Sequence, residues 1–445
     1  NKVLWTTLDS LPILDQALQM EPCCDKMLVW ASFAEDQMKK LGHKNVETLH
    51  GAVDYTHFEP LAHRRKIRKR FGLDSNYVIG FVFKNQLRKS VPNLLKGFKI
   101  FKEENPEANP KLLLHTDWGE TNHGWDIPKY LKELDIHQDD VLSTYVCHAC
   151  GHYHVAPYQG EDKNCPQCKK DKAFKTKSSA KGIDENQLNE LYNCMDVYCH
   201  PFTSGGQELP IQEAKAAGLV TLVTDYSCGT DSCYEHQGGI PLKWNEYREP
   251  STQFIKASTC PIDISDKLKS VYHMTDIDKS TLAEKGMEYV KEEFSVPVII
   301  NKLKDILFGL KKPEPKEEEI KKPSNTLSFE SVLGDEGVGN RIAVVLPQSA
   351  GDILILNSLM KNLKDLYPEK NIYVFTKPEF YQMIEDNPSV HKVLAYQDNL
   401  QNILMLEGKG SHEGYFDIAF LPNVGTQKFL NYLHNGKDKT QFKLR

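Results

Sequence analysis

Four cysteines carry the sharpest chemical signal in the sequence. Cys147-His-Ala-Cys150 is followed, after fourteen residues, by Cys165-Pro-Gln-Cys168. Two knuckles of this kind place four thiolates around a tetrahedral Zn²⁺ at roughly 2.3 Å each, and four sulfurs saturate a structural site. A second chemical group runs from His200 to Asp225. Gly205 and Gly206 lead into a helix that opens on Leu209-Pro210, where proline is tolerated because the first helical N–H has no intrahelical partner. A glycine-opened helix N-terminus suits a phosphate or another anion. Glu208 and Glu213 do not fit a bare phosphate cradle; carboxylates there suit sugar hydroxyls or a ribose. His200 ends the strand before the glycines and is a candidate for touching phosphate or sugar. His115 follows the apolar run Leu112–Leu114 and reads either as a ligand contact or as a core histidine. Asp225 and Asp231 bound the loop after the next strand, where each either holds a ligand or closes a turn.

These groups need strands to hold them. Val78–Phe83, Leu112–Leu114, Val141–Thr144, Val197–His200 and Leu219–Thr224 are short apolar runs separated by helical segments, the pattern of a parallel α/β sheet. In such a sheet the loops at the carboxyl ends of the strands line the ligand crevice. The cysteine ribbon falls after Val141–Thr144 and before a helix near Asp184, so it is expected beside that crevice. There it shapes acceptor access or docks a partner, or else it clamps a long loop. Lys163, Lys169, Lys170, Lys172, Lys175, Lys177 and Lys181 make its surroundings basic, which leaves nucleic acid open as a local partner. A net charge of −6 argues against any broad nucleic-acid footprint.

The segment from Gly205 resembles the donor-binding stretch of retaining glycosyltransferases of family 4, which have the two-domain GT-B fold. The family pattern reads Glu-Gly-Phe-Gly-Leu-Pro-x-x-Glu-Ala. Leu209, Pro210, Glu213 and Ala214 match it, and Gly206 matches its first glycine, whereas Gly205 replaces the first glutamate and Glu208 the second glycine. His50-Gly-Ala-Val-Asp-Tyr-Thr-His-Phe58-Glu-Pro60 is similar to the family's inter-domain signature. After Val78–Phe83 the family places an arginine and a lysine five residues apart against the donor diphosphate. Lys84 and Lys89 have that spacing, and Arg88 is a second candidate because arginine can grip phosphate bidentately. Gly182–Asn193, Val197–Pro201 and Glu293–Ser295 fit the remaining elements in order. The resemblance therefore spans roughly residues 27 to 310. It implies transfer of a sugar from a nucleotide-diphosphate sugar to an unidentified glycan, protein or lipid-linked acceptor, with retention and without a catalytic metal. Lys84, Arg88 and Lys89 would stabilise the leaving diphosphate, Glu213 would hold the ribose, and Glu208 would take over part of the missing glutamate's role.

Beyond a Pro- and charge-rich linker at 311–340, Arg341–Pro347, Asn371–Thr376 and Phe416–Leu421 read as strands of a further parallel sheet. The order Gly351-Asp352, helix, Tyr367-Pro368, strand, Asn387-Pro388, Val393-Leu394 resembles the first half of heptosyltransferase-like enzymes of family 9. That resemblance makes Asp352 an acceptor base; the residue type alone makes it a helix cap.

A length of 445 residues suggests about three domains. The expected fold is α/β: GT-B type, Rossmann-like doubly wound parallel sheets with a small zinc-ribbon insertion. Residues 1–62 are read as the end of an acceptor domain whose beginning lies outside this sequence. Residues 63–310 are read as the donor domain with the ribbon at 145–172, and 341–445 as a partial second transferase domain. Seven further cysteines lack regular spacing, so free thiols and a reducing, cytoplasmic setting are expected. No apolar run reaches the roughly 20 residues of a membrane span. The rival expectation is a degenerate GT-B scaffold whose ribbon binds protein or nucleic acid, and the altered glutamate pair favours it.

Overall fold

The computed structural model describes residues 2–176, 182–310, 333, 340–347, 350–396 and 416–422, together with the backbone of 429–435 and 438–444. The expected linker lies outside the described residues apart from 333 and 340. Two compact units divide the chain, Asn1–Pro315 and Lys316–Arg445.

The first unit begins with three parallel strands in sequential order: β1 (Val3–Thr6), β2 (Lys26–Val29) and β3 (Val46–Thr48). Met27 and Val29 are buried against Ala34 and Met38, which share one face of the helix Ser32–Lys40 at a spacing of four. A larger sheet follows, made of β4 (Tyr77–Val82), β5 (Pro110–His115), β6 (Val141–Cys147), β7 (Tyr153–Pro157), β8 (Phe174–Thr176), β9 (Val197–His200), β10 (Thr221–Thr224) and β11 (Gly239–Leu242). Its order is β11-β10-β9-β4-β5-β6-β7, with β8 also on β6. All pairs from β11 through β6 are parallel, whereas β7 and β8 run antiparallel to β6.

Every residue of β4 is buried, as a central parallel strand covered on both faces requires. One cover is the helix Val91–Glu104, whose Leu94, Leu95, Phe98 and Phe101 enter the core. It packs on the helix Pro261–Tyr272 so closely that a Cβ on Gly97 would stand 2.6 Å from Ile264 Cγ2 and 2.9 Å from the Pro261 carbonyl. From β4 the chain steps outward through β5 and β6, then returns to the other side of β4 at β9. The strand order therefore reverses between β4 and β9, and a crevice opens at their carboxyl ends.

Two features differ from the sequence reading. The strand expected over Val141–Thr144 continues to Cys147, so the ribbon is an extension of the main sheet. A hairpin of β12 (Trp244–Arg248) and β13 (Ile255–Thr259) was not anticipated. Its Asn245, Glu246 and Arg248 are exposed, so no apolar run marks it, and Ile255 N donates to Leu11 O of the first lobe at 2.7 Å.

In the second unit β14 (Arg341–Val345), β15 (Asn371–Thr376), β16 (Lys392–Ala395) and β17 (Ile418–Leu421) form a parallel sheet in the order β16-β15-β14-β17. Antiparallel β18 (Phe429–Asn435) and β19 (Asp438–Leu444) extend it. The helix Ala350–Leu366 turns Ile353, Leu356 and Met360 inward, and Asp352 lies in its first turn.

Gly97→Val should destabilise the protein by about 1–3 kcal/mol, because the added atoms have no room between the two helices. Thermal unfolding with unaltered secondary structure checks this, and an unchanged midpoint would show that the helices can separate without cost.

Candidate functional site

At the β4/β9 reversal the loop after β4 delivers Arg88 and Lys89, and the loop after β9 delivers Glu208. Arg88 Nη1 donates to Glu208 Oε1 and Lys89 Nζ to Glu208 Oε2. His200, the last residue of β9, places Nε2 3.3 Å from Glu208 Oε2 and 3.4 Å from Lys89 Nζ. Its Nδ1 lies 2.9 Å from the Tyr198 hydroxyl. A hydrogen on Nε2 lets the ring donate to Glu208, and the single Tyr198 hydroxyl hydrogen is then shared between His200 Nδ1 and Val82 O, the latter at 3.1 Å. Glu208 is 4% exposed, Lys89 2% and His200 fully buried. Burial works against the Glu208 charge, but Lys89, His200 and Arg88 outweigh it and hold the carboxyl well below the usual carboxylate range. Burial, reinforced by the Lys89 charge, lowers His200 to about 4, so the imidazole is neutral.

Gly205 is required beside this group, since a Cβ there would lie 2.7 Å from Glu208 Oε1. Gly206 faces the first lobe, and a Cβ on it would stand 2.5 Å from both Thr7 Cβ and Asp9 Oδ1. The Gly205 N–H, expected to be open to an anion, donates to Ser227 Oγ at 3.1 Å. Asn85 holds the neighbouring loop: its Nδ2 donates to the carbonyls of Asp117, Glu120 and Trp125 at 3.1, 2.9 and 3.0 Å.

Several contacts tie the first lobe, which carries β1–β3, to this end of the sheet. Gln207 Nε2 donates to Gly51 O at 2.8 Å, and Gly51 N donates back to Gln207 Oε1 at 2.6 Å. Lys256 Nζ donates to Ser10 Oγ and Ser204 Oγ at 2.8 and 2.7 Å. Asp231 accepts the Ser32 N–H at 2.9 Å. Asn85, Tyr198, Ser204 and Lys256 were not singled out from the sequence. Only the buried run around Tyr198 gave any hint, because the others sit in loops or in the unanticipated hairpin.

The structure does not bring every candidate to the cluster. Lys84 is exposed, with no contact to Glu208 among those described, so Arg88 occupies the position nearest Lys89. His115 is buried at the end of β5, its carbonyl accepting from Phe83 N at 3.1 Å. Glu213 is half-buried on the helix Leu209–Ala216 and accepts from the Tyr192 hydroxyl at 2.6 Å. Asp225 accepts from the Tyr234 hydroxyl at 2.9 Å and turns toward its own loop. A cavity of about 390 Å³ adjoins Arg88, lined also by Trp125, Tyr247, Glu249 and Asn93.

The four knuckle cysteines converge, with their sulfurs all within 4.8 Å of one another. Cys147 and Cys168 are 3.6 Å apart, and Cys150 and Cys165 are 3.7 Å apart. A tetrahedron with metal–sulfur bonds of roughly 2.3 Å has edges of roughly 3.8 Å, so the set fits Zn²⁺. The N–H groups of Ala149 and Cys150 point at Cys147 Sγ, and that of Cys168 points at Cys165 Sγ, which favours thiolates. The ribbon also reaches toward the crevice. Thr176 Oγ1 of β8 accepts from Trp118 N at 3.1 Å, and Trp118 stacks on Tyr158 at 4.7 Å. Trp118 belongs to the loop that Asn85 clamps. Lys175 pairs with Asp162 at 2.7 Å, while Lys177 and Lys181 lie outside the described residues.

No family model and no curated protein matches the chain. Among solved structures it is similar to HepE from Anabaena in complex with UDP, with a TM-score of 0.50 and 12% identity over 69% of this chain and 72% of that one. It is also similar to a glycosyltransferase from Rickettsia africae (TM-score 0.49, 13% identity, 70% and 71% covered). The chain covers between 64% and 72% of the length of three HepE structures. The likeness is one of fold, and the fold is the α/β GT-B type.

Burial of a neutral His200 has a pH signature. Unfolded, it takes a proton near 6.5; folded, at about 4. Between these values the unfolded chain binds more protons, so the stability it contributes is complete above 6.5 and is lost toward 4, at up to ~1.4 kcal/mol per pH unit. The thermal midpoint should therefore fall less steeply on acidification in His200→Gln than in the wild type; parallel curves would show a charged or solvated imidazole.

Proposed function

We propose that the unit Asn1–Pro315 binds a nucleotide-diphosphate sugar at the β4/β9 reversal and transfers its sugar to a glycan, protein or lipid-linked acceptor. The observation that carries this reading is the convergence of Arg88 and Lys89 where the strand order reverses in a GT-B fold. A leaving nucleoside diphosphate gains charge as the glycosidic bond breaks. Fixed cations aimed at it stabilise that state without reorganising solvent. Arg88 would grip phosphoryl oxygens as a fork and Lys89 as a point charge. The absent side chains of Gly205 and Gly206 let backbone and substrate approach, and Glu213 is the group for the ribose hydroxyls. That HepE, alike in fold, is solved with UDP supports this donor class. Retention, and chemistry without a catalytic metal, rest on the family 4 resemblance. Asp352, in the first helical turn after β14, is the corresponding candidate acceptor base of the second unit. Eleven cysteines with no disulfide among them suit a reducing, cytoplasmic setting, and no described helix is long and apolar enough to cross a membrane.

In this reading Cys147, Cys150, Cys165 and Cys168 hold one structural zinc. Bound there, it would fix the ends of β6 and β8, and through Thr176 and Trp118 the loop 117–125. One observation favours the rival reading of a scaffold that has lost donor binding: Glu208 already engages both cations.

Thermal unfolding with UDP, GDP, ADP and CDP separates the two readings. One nucleotide should stabilise the wild type, by about 2.7 kcal/mol at a hundredfold excess over Kd, and Lys89→Ala should abolish the effect. Absence of a shift with all four would sink the transferase reading. For the metal, a chelator should release about one zinc per chain, expose four thiols to titration and speed amide exchange in 117–125. Protein that carries no zinc as purified from zinc-replete cells would refute that assignment.

A further inference from the structure

Arg88, Lys89 and His200 direct donors at a single acceptor, the Glu208 carboxylate. Glu208, Lys89 and His200 are buried, so the carboxylate meets its charge partners within the protein, while the two cations leave the group one positive charge in excess. Phosphoryl oxygens that used Lys89 would have to enter the same small space, because the buried Lys89 Nζ already has Glu208 and His200 as its partners. Two anions at hydrogen-bond distance from one buried ammonium repel each other strongly.

We infer that Glu208 is a displaceable internal counter-ion of the donor site: its carboxylate occupies the place of the donor's phosphoryl group and gives it up when the diphosphate binds. The inference rests on the reading above, in which Arg88 and Lys89 receive the diphosphate. Three local features make displacement feasible. Glu208 precedes the helix Leu209–Ala216 and makes no side-chain capping bond, so rotating its side chain away leaves the helix intact. Gly205 presents no side chain beside Glu208 Oε1, where a Cβ would stand 2.7 Å from that oxygen, so no side chain at 205 blocks its movement. Arg88, with 36% of its side chain exposed, reaches the cavity of about 390 Å³ and can meet an incoming phosphate before Glu208 has left. The cluster thereby selects for charge. A ligand must bring more negative charge than the carboxylate it replaces, which a diphosphate does and a free sugar or nucleoside does not.

The test is calorimetric titration of the full chain with inorganic pyrophosphate, comparing wild type, Glu208→Gln and Glu208→Asp. Removing the competing charge should tighten binding about tenfold in Glu208→Gln, the scale of one charge-assisted hydrogen bond. Glu208→Asp, one methylene too short to reach both cations, should show a smaller gain in the same direction and serves if the glutamine variant does not fold. Binding by the wild type with equal or weaker binding by the folded variants would overturn the counter-ion while leaving the donor site standing. Failure of every folded form to bind pyrophosphate would remove both.

Discussion

A carboxylate buried against an arginine and a lysine is the interaction around which the larger sheet of the first unit is arranged at its carboxyl end. Burying such a group costs several kcal/mol per ion unless every partner is in place, and removing one partner costs about 3–5 kcal/mol. The surroundings of Glu208 meet that demand: His200 supplies a third donor, Tyr198 fixes the ring, and Gly205 leaves room for the oxygens. Arg88 and Lys89 come from the loop after β4 and Glu208 from the loop after β9, so these ion pairs hold the two loops together. The sheet supplies the coarse placement, because only at the β4/β9 reversal do two adjacent loops part to leave a crevice.

The same end of the sheet is where the first lobe attaches. Gln207 and Gly51 exchange two hydrogen bonds, Lys256 links Ser10 to Ser204, and Gly206 lets the segment Thr7–Asp9 approach. Ser204, Gly205, Gly206, Gln207 and Glu208 are consecutive. One short loop therefore contacts the first lobe and the cation pair alike, so a change in the charge cluster has a direct mechanical route to the lobe contact. The ribbon reaches the crevice from the opposite edge through Thr176, Trp118 and Asn85.

Much of this was legible in the sequence. The buried strands announced themselves as apolar runs, the glycine pair and Leu209-Pro210 marked the start of the helix, and the cysteine spacing gave the cluster of four sulfurs outright. Ends were less legible: nothing in Val141–Cys147 shows that a strand runs through the first cysteine, since its pairing partners β7 and β8 come later in the chain. The hairpin Trp244–Thr259 escaped notice because Asn245 to Arg248 of its first strand are exposed and mostly polar, so no apolar run marks it. Side-chain partners were least legible. The residue types at 84, 88 and 89 gave three cations, but which two would meet Glu208 depends on how the loop after β4 folds over β9. Likewise Lys256 reads as one more surface lysine until its strand is placed against Ser10 and Ser204.

The most direct test of the central claim is a crystal structure of the full chain with the nucleoside diphosphate that stabilises it most. The account predicts phosphoryl oxygens bonded to Arg88 and Lys89 at the carboxyl ends of β4 and β9, with the Glu208 carboxylate withdrawn from Lys89. A diphosphate bound elsewhere, with Glu208 still bridging both cations, would contradict it.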